Sequence, residues 1–287
     1  MKHALDLLGC PADSKLLIVH ADDLGMCHSV NAATFKALDE QAITSASVMV
    51  PCAWFPEVAE YAGRTPGRDL GIHLTLTSEW KQYRWHPIVG VRAGASLVDE
   101  TGYFFSRPPA AGWNPEEARQ ELFAQVDQAR RAGLAPTHID SHMLSVFGNP
   151  DLTRAYFELG RQIGIPFFVS GPLMAGLDHL IKDTDIVVDS VFSLRPGLPE
   201  REWTEYYLRV LRSLKPGLHQ LIVHLGYDDA ELQAVTAGHA FWGAGWRQRD
   251  YDAIMSEEFK SAVKENNIQL MGWNQLNSLR QSSSSGS

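Results

Sequence analysis

The chain has 287 residues, of which 45% are hydrophobic and 21% are charged, and its formal net charge at pH 7 is -9. This composition is typical of a globular protein with a full core and excludes fibrous and disordered classes. Binding to a phosphate backbone needs a concentrated basic surface, so the acidic balance and the scattered Lys and Arg argue against a nucleic-acid partner. A neutral or cationic small molecule fits this charge better.

The N-terminal segment and the cysteines predict a cytoplasmic protein. Residues 1–14 lack the apolar segment of a signal peptide, and no run of about 18 apolar residues predicts a membrane span. Cys10, Cys27 and Cys52 are odd in number and lack CxxC spacing, so neither a disulfide framework nor a thiolate zinc site is supported. We expect residues 1–281 to form one domain and the Ser/Gly-rich residues 282–287 to be a disordered tail or a cloning remnant.

The first predicted element is a strand, LLIV at residues 16–19, which is apolar enough to be buried on both faces of a parallel sheet. Asp22 and Asp23 follow it. Neighbouring carboxylates repel each other and are costly to bury without a compensating cation, so their position favours a metal site. The alternative for an isolated Asp-Asp pair is a solvated turn with a helix cap.

Strands and helices then alternate along the chain. Further strands are predicted at 44–50, 70–77, 137–142, 167–169, 186–191, 218–225 and 268–272. Helices are predicted at 29–41, 115–131, 151–163, 200–214 and 253–265, and a loop with a short helix at 51–62. About eight such alternations predict a parallel α/β architecture, and the length fits a barrel of one domain. The loop-like residues 78–114 are long enough to indicate a functional loop.

Polar side chains lie near the carboxyl ends of several predicted strands, which is where α/β barrels carry their functional groups. In LGIHLTLT, strict alternation places His73 on the small polar face. In THIDSH, His138 and His142 share a face but lie roughly 13 Å apart, so they cannot both bind one ion. We choose His142 as a metal ligand and expect His138 and Asp140 to orient the ligands or to face the substrate.

Four motifs together resemble the YdjC-like carbohydrate deacetylases, a family that includes chitooligosaccharide deacetylases. They are HADDLG at 20–25, GIHLTLTSEW at 71–80, THIDSH at 137–142 and HLGYD at 224–228. They occur in the family order, and the resemblance covers nearly all of residues 15–275. It implies an irregular TIM-like (β/α) barrel and the removal of acetyl groups from N-acetylated sugars.

The resemblance also implies roles for individual residues. Carried over position by position, Asp23, His73 and His142 are the metal ligands, Asp22 is the general base and His224 is a candidate general acid. Two departures from the family pattern affect the expected substrate pocket. Met143 and Leu144 stand where further histidines are common, and Leu225 stands where Pro is common.

The implied chemistry is consistent with these residue types. Two imidazoles and one carboxylate leave positions open for water and a substrate oxygen, which suits one divalent ion, zinc before magnesium or another metal. A metal lowers the pKa of bound water from about 15.7 to about 7, Asp22 takes the proton, and charged His224 protonates the departing amine. Asp22 and Asp23 enter one site only if the backbone turns sharply, which Leu24 and Gly25 permit.

Further candidates lie just before the last predicted helix and in loop-like segments. Arg247 could hold Asp22 ionised, although an ordinary surface salt bridge is the simpler interpretation, and Asp250 lies nearby. Trp80 could stack on a sugar ring, as could Tyr83, Trp85, Trp242 and Trp246, but aromatic groups also fill dimer interfaces, so a homo-oligomer stays open.

Two other functions remain open from the sequence. The residues His138, Asp140 and His224 could form the facial triad of an iron-dependent oxygenase. The chain could also be a non-catalytic, metal-containing carbohydrate-binding protein, because a fold does not fix a function.

Overall fold

The computed structural model describes residues 4–110, 112–174, 176–239 and 241–285. Seven strands lie in this part of the chain: β1 (Lys15–Leu24), β2 (Ser45–Val48), β3 (Leu70–Leu74), β4 (Ile139–Ser141), β5 (Ser190–Ser193), β6 (Gly217–Val223) and β7 (Ile268–Leu270). They form a parallel sheet in the order β4-β3-β2-β1-β6-β5, and β7 pairs with the first residues of β1. The longest strand, β1, therefore lies at the centre of the sheet.

The predicted parallel α/β class is confirmed, whereas a closed TIM barrel is not. The paired strands form an open half-barrel, since β4 and β5 are its two edges and the ladders of the described residues do not join them. Beyond β4, the described residues continue the sheet through isolated bridges, from Ile139 to Phe167 and from Ser170 to Val188. The strand predicted at 167–169 is thus reduced to single bridges.

The helices of the described residues are α1 (Ala4–Leu8), α2 (His28–Asp39), α3 (Phe55–Arg64), α4 (Pro115–Arg131), α5 (Pro150–Ile163), α6 (Trp203–Ser213), α7 (Ala230–Val235), α8 (Ala244–Met255), α9 (Glu257–Glu265) and α10 (Trp273–Ser285). Helix α4 has its predicted bounds because Asn114 caps the amides of Glu116 and Glu117 and Pro115 occupies the first turn. None of the helices in these ranges is long and apolar enough to cross a membrane.

Two predictions near the C-terminus differ from the structure. The single helix predicted at 253–265 is wrong, because extended Ser256 separates α8 from α9 and its side chain caps the amide of Phe259. The segment before it is therefore helical and not loop-like. The backbone of 282–285, which we predicted to be part of a disordered tail, belongs to α10, and residues 286–287 lie outside the described residues.

Strand β1 is buried on both faces, as its apolar run predicts. Leu17 and Val19 pack into the large core between the sheet and its helices. Leu16 and Ile18 face the other way into a smaller apolar cluster. Since side chains alternate along a strand, this second face continues through His20 to Asp22, so the inside of the half-barrel changes from apolar to polar toward the carboxyl ends of the strands.

Candidate active site

Three side chains from different strand ends converge at the carboxyl edge of the sheet. Asp23 Oδ1 lies 3.5 Å from His73 Nε2 and 3.3 Å from His142 Nδ1, and these two nitrogens are 3.3 Å apart. All three residues are buried. Asp23 belongs to β1, His73 to β3, and His142 directly follows β4, so the strand order itself brings the three together.

The three atoms fit a metal ion. Three ligands held tetrahedrally at bond lengths of 2.0–2.1 Å are about 3.3–3.4 Å apart, which agrees with the measured triangle. Asp23 Oδ1 is also buried without a hydrogen-bond partner, a costly state for a carboxylate oxygen that a cation would relieve. The donor set of two imidazoles and one carboxylate suits zinc.

Each of the two histidines faces a carboxylate with its other ring nitrogen. His73 Nδ1 lies 2.7 Å from Asp140 Oδ1, and His142 Nε2 lies 2.9 Å from Glu79 Oε2. Carboxylates in these positions hold the N–H of metal-binding imidazoles, which fixes the tautomer and aims the opposite nitrogen at the metal. The arrangement leaves His73 Nε2 and His142 Nδ1 free of protons for coordination.

Without a metal, these carboxylates favour protonated imidazoles instead. Burial alone would lower the pKa of His142, but Glu79 and Asp23 outweigh it and raise that pKa to about 9. Burial is likewise outweighed at His73, where Asp140 and Asp22 hold the pKa well above its usual value. Protons and a metal ion therefore compete for the same two nitrogens.

The sharp turn that the Asp22–Asp23 pair requires lies at Asp23 itself. Its φ is 67°, in the left-handed region that residues other than Gly seldom adopt. The pairing register of β1 with β2 shifts between Ala21 and Leu24, as expected at a bulge. This turn, rather than one at Leu24 and Gly25, directs both carboxylates into one site.

The predicted pairing of Arg247 with Asp22 is wrong, and so is the alternative of a surface salt bridge. Arg247 is 1% exposed, and its Nη2 donates to Asp23 Oδ2 at 2.6 Å. Burial would raise the pKa of Asp23, but Arg247 and the neighbouring imidazoles hold it well below the usual value. Arg247 thus keeps one carboxylate oxygen ionised and oriented while the other faces the two histidines.

Asp22 lies beside the triangle, and its side chain is partly exposed. Its Oδ2 is 3.9 Å from His73 Nε2 and 3.9 Å from His224 Nε2, and its Oδ1 is 3.4 Å from His20 Nε2. Burial raises the pKa of Asp22 to about 6, although His73 opposes the shift. A carboxylate with this pKa can accept a proton near neutral pH.

His224 directly follows the last residue of β6. Its backbone amide donates to Asp250 Oδ2 at 3.0 Å, and Asp250 also accepts from Trp203 Nε1 at 2.7 Å and Tyr207 OH at 2.5 Å. Burial lowers the pKa of His224 to about 3, so its imidazole is neutral at pH 7 rather than charged as we expected. Helix α8 therefore positions two site residues, Asp23 through Arg247 and His224 through Asp250.

His138 does not approach the triangle. Its Nδ1 faces Thr137 Oγ1 at 3.0 Å, and its ring stacks on Trp273 with centroids 5.5 Å apart. The ligand atoms of His138 and Asp140 form a cluster with His20, and His224 belongs to none of the clusters of potential metal ligands found among the described residues. The facial triad expected for an iron oxygenase is therefore not assembled.

A cavity of about 910 Å³ opens onto the site. Trp80 lines it but is 2% exposed: its Nε1 donates to Met26 Sδ at 3.1 Å and the Arg247 guanidinium lies over its ring, so little of its face is available for stacking. Of the three residues that depart from the family pattern, Met143 and Leu144 are exposed, line the cavity and both have φ of 52°, whereas Leu225 is buried.

The sequence reasoning missed two residues that the structure places at the site. Glu79 is part of the quoted motif GIHLTLTSEW, and His20 is part of HADDLG, yet neither received a role. His20 Nε2 lies 2.9 Å from Asp140 Oδ2, so it joins Asp140 to Asp22. The alternation of β1 could have revealed His20, since it shares a face with Asp22, whereas no spacing rule pairs Glu79 with His142.

The fold and the site define a parallel α/β protein with a candidate three-ligand metal centre at the carboxyl edge of its sheet. The YdjC-like protein family model matches residues 16–265, so the chain belongs to the YdjC-like family. This confirms the resemblance that the four motifs carry.

Individual relatives agree with this assignment. A carbohydrate deacetylase from Thermus thermophilus is 35% identical over 264 residues, which cover 88% of this chain and 90% of that protein. A chitooligosaccharide deacetylase from Yersinia enterocolitica is 34% identical over 133 residues, 45% of this chain and 49% of that protein. A crystal structure from Enterococcus faecalis, described as that of a candidate cellobiose-phosphate cleavage protein, superposes with a TM-score of 0.76 at 26% identity and covers 92% of this chain and 99% of that one.

Proposed function

We propose that this protein is a metal-dependent hydrolase that removes acetyl groups from N-acetylated sugars, of the chitooligosaccharide type or related to it. The observation that carries the proposal is the triangle of Asp23, His73 and His142, whose spacing fits zinc and which adjoins a large cavity. The names of the curated relatives support the substrate class. The half-barrel, which continues beyond β4 through isolated bridges, supports an irregular TIM-like barrel as the scaffold.

The residues of the site have separate roles in the proposed reaction. Asp23, His73 and His142 would hold the ion, and the bound ion would supply Lewis-acid polarisation of the acetyl carbonyl and a water of lowered pKa. Asp140 and Glu79 hold the two imidazoles in the required tautomer.

Proton transfer is assigned to Asp22 and His224. With its pKa raised to about 6, Asp22 can take the proton of the attacking water. His224 starts neutral, so it must first receive the proton that it gives to the departing amine. Asp22, whose Oδ2 lies 3.9 Å from His224 Nε2, can supply this proton after it has taken it from water. The products are acetate and a free amino sugar.

Acetate release tests this function. The purified protein is incubated with N-acetylglucosamine oligomers after chelation and again after zinc is restored, and acetate is measured enzymatically. We expect activity to disappear on chelation and to return with zinc, and full activity in the chelated protein would refute the metal dependence. Sugar binding by calorimetry without acetate from a broad panel of acetylated sugars would favour the carbohydrate-binding alternative.

A base variant separates the chemistry from metal binding. Asp22→Asn should bind zinc in a 1:1 ratio, as the unmodified protein does, but lose about 10²- to 10⁴-fold in kcat, the usual contribution of a positioned general base. The matched control is Asp252→Asn, a carboxylate exposed on α8 and outside the cavity. Unchanged kcat in Asp22→Asn would remove Asp22 from the mechanism.

A further inference from the structure

A second cavity of about 460 Å³ lies beside the active-site cavity. His239 lines both cavities, and its ring packs edge-on against Trp80 with centroids 4.7 Å apart. The second cavity is bounded by the start of α8, by α7 and by the segment before α6. The two cavities therefore adjoin at His239.

The lining of the second cavity combines aromatic faces with a polar rim. Phe241 is 42% exposed and lies 6.4 Å, centroid to centroid, from Trp246, whose ring meets that of Trp203 edge to face at 4.8 Å. At the rim, Gln233 Nε2 donates to Asp228 Oδ1 at 2.8 Å. Arg249 pairs with Glu200 and also lies over the ring of Trp203.

This chemistry fits a neutral sugar better than other small molecules. A pyranose ring has an apolar face of C–H groups that packs on aromatic rings, and its hydroxyls pair with amides, carboxylates and guanidinium groups. An anionic group would meet the carboxylates of Asp228 and Glu200 at the rim, and Arg249 is already paired. The volume lies within the usual range for ligand pockets, about 300–1,000 Å³.

We propose that the second cavity binds further sugar units of an acetylated oligosaccharide whose reacting unit occupies the active-site cavity. The inference rests on the proposed function for the identity of the ligand, and it adds the place where the sugar units beyond the reacting one are bound. Phe241 supplies the accessible stacking face, and Gln233 supplies polar contacts at the rim.

The test compares ligand length in the complete protein loaded with zinc. Calorimetry measures Kd for N-acetylglucosamine and for its tetramer in the zinc-loaded Asp22→Asn background, where turnover is expected to be about 10²- to 10⁴-fold slower, and acetate assays measure kcat/KM for both with Asp22 intact. We expect the tetramer to bind more tightly, and Phe241→Ala to weaken tetramer binding and its kcat/KM by about threefold to tenfold, the size of an aromatic stacking contact, while the values for the monomer stay unchanged. Gln233→Ala should act in the same direction.

The control is Trp54→Ala, which removes an exposed aromatic side chain, 38% accessible, that lines neither cavity. The proposal is overturned if the protein with Phe241 intact binds monomer and tetramer equally, or if Phe241→Ala and Trp54→Ala have the same effect. Absence of acetate from both ligands would instead contradict the proposed function, and the calorimetric comparison would still decide the role of the second cavity.

Discussion

Replacing Asp140 by Asn should weaken zinc binding although Asp140 is not one of the three proposed ligands. Asp140 Oδ1 faces His73 Nδ1 at 2.7 Å, and its Oδ2 faces His20 Nε2 at 2.9 Å. An amide offers one oxygen and one NH₂ group, so one of the two imidazoles loses its acceptor and the charge behind His73 disappears. Loss of such a partner typically costs about 10- to 100-fold in metal affinity, or about 1.4–2.7 kcal/mol.

The pH dependence of this loss gives a sharper test. Burial would lower the pKa of His73, but Asp140 helps to hold it above its usual value. In the unmodified protein, Asp140 therefore strengthens both the binding of the metal to His73 and the binding of the proton that competes with it. At low pH the weaker metal bond of Asp140→Asn is partly offset by weaker competition from protons. His73 is protonated in the unmodified protein but less so in the variant. The affinity loss should therefore be largest at high pH, where His73 is neutral in both proteins.

The assay is a zinc titration against a competing chelator at several pH values, with circular dichroism to confirm folding. The control is Asp185→Asn, another buried carboxylate, which pairs with Arg161 and lines neither cavity. Unchanged zinc affinity in a folded Asp140→Asn protein, or a loss that grows as the pH falls, would refute the argument.

Three further results are expected. Glu79→Ala should lower zinc affinity about tenfold or more because His142 loses its acceptor, whereas Glu79→Gln should lose less because the amide oxygen still accepts the imidazole N–H. Gly71→Ala should lower the free energy of unfolding by about 1–3 kcal/mol, since its Cβ would lie 2.4 Å from the buried ring of His138. Burial raises the pKa of Glu121 from 4.5 to about 7, so the folded state holds this proton more tightly than the unfolded state does. The protein should therefore lose up to about 3 kcal/mol of stability, relative to Glu121→Gln, as the pH rises from about 4.5 to about 7.

Each of these results has a matched comparison. Equal zinc affinity in Glu79→Ala and the unmodified protein would contradict the role of Glu79. Gly63→Ala, in helix α3 with open space around the added Cβ, should be neutral or slightly stabilising, and an equal cost at Gly63 and Gly71 would rule out the clash. Chemical denaturation at several pH values tests Glu121, and parallel stability profiles for Glu121→Gln and the unmodified protein would contradict the pKa shift.

The strand ends of the site could be predicted from the sequence because they depend on local patterns. The apolar run before Asp22, the alternation around His73 and the position of His142 at the end of its strand each follow from the period of a β-strand. The parallel sheet then brings these ends to one edge whatever the details of the connecting helices. The same spacing argument that excluded His138 agrees with its position deep in the sheet beside Trp273.

The contacts that complete the site could not be predicted in this way. Arg247 reaches Asp23 from a helix that is 224 residues away in sequence, and the choice between the two aspartates depends on the left-handed turn at Asp23. A non-Gly residue with positive φ carries no reliable sequence signal. We predicted a charged His224 from its expected role as general acid. Burial of the side chain favours the neutral imidazole instead.

The most direct test of the metal centre is a crystal structure of the zinc-loaded protein with anomalous diffraction recorded on both sides of the zinc absorption edge. Our account predicts one anomalous peak within about 2.0–2.2 Å of Asp23 Oδ1, His73 Nε2 and His142 Nδ1, with Asp140 and Glu79 behind the two imidazoles. A peak in the cluster of His20, His138 and Asp140 instead, or no peak between Asp23 and the two histidines, would contradict it.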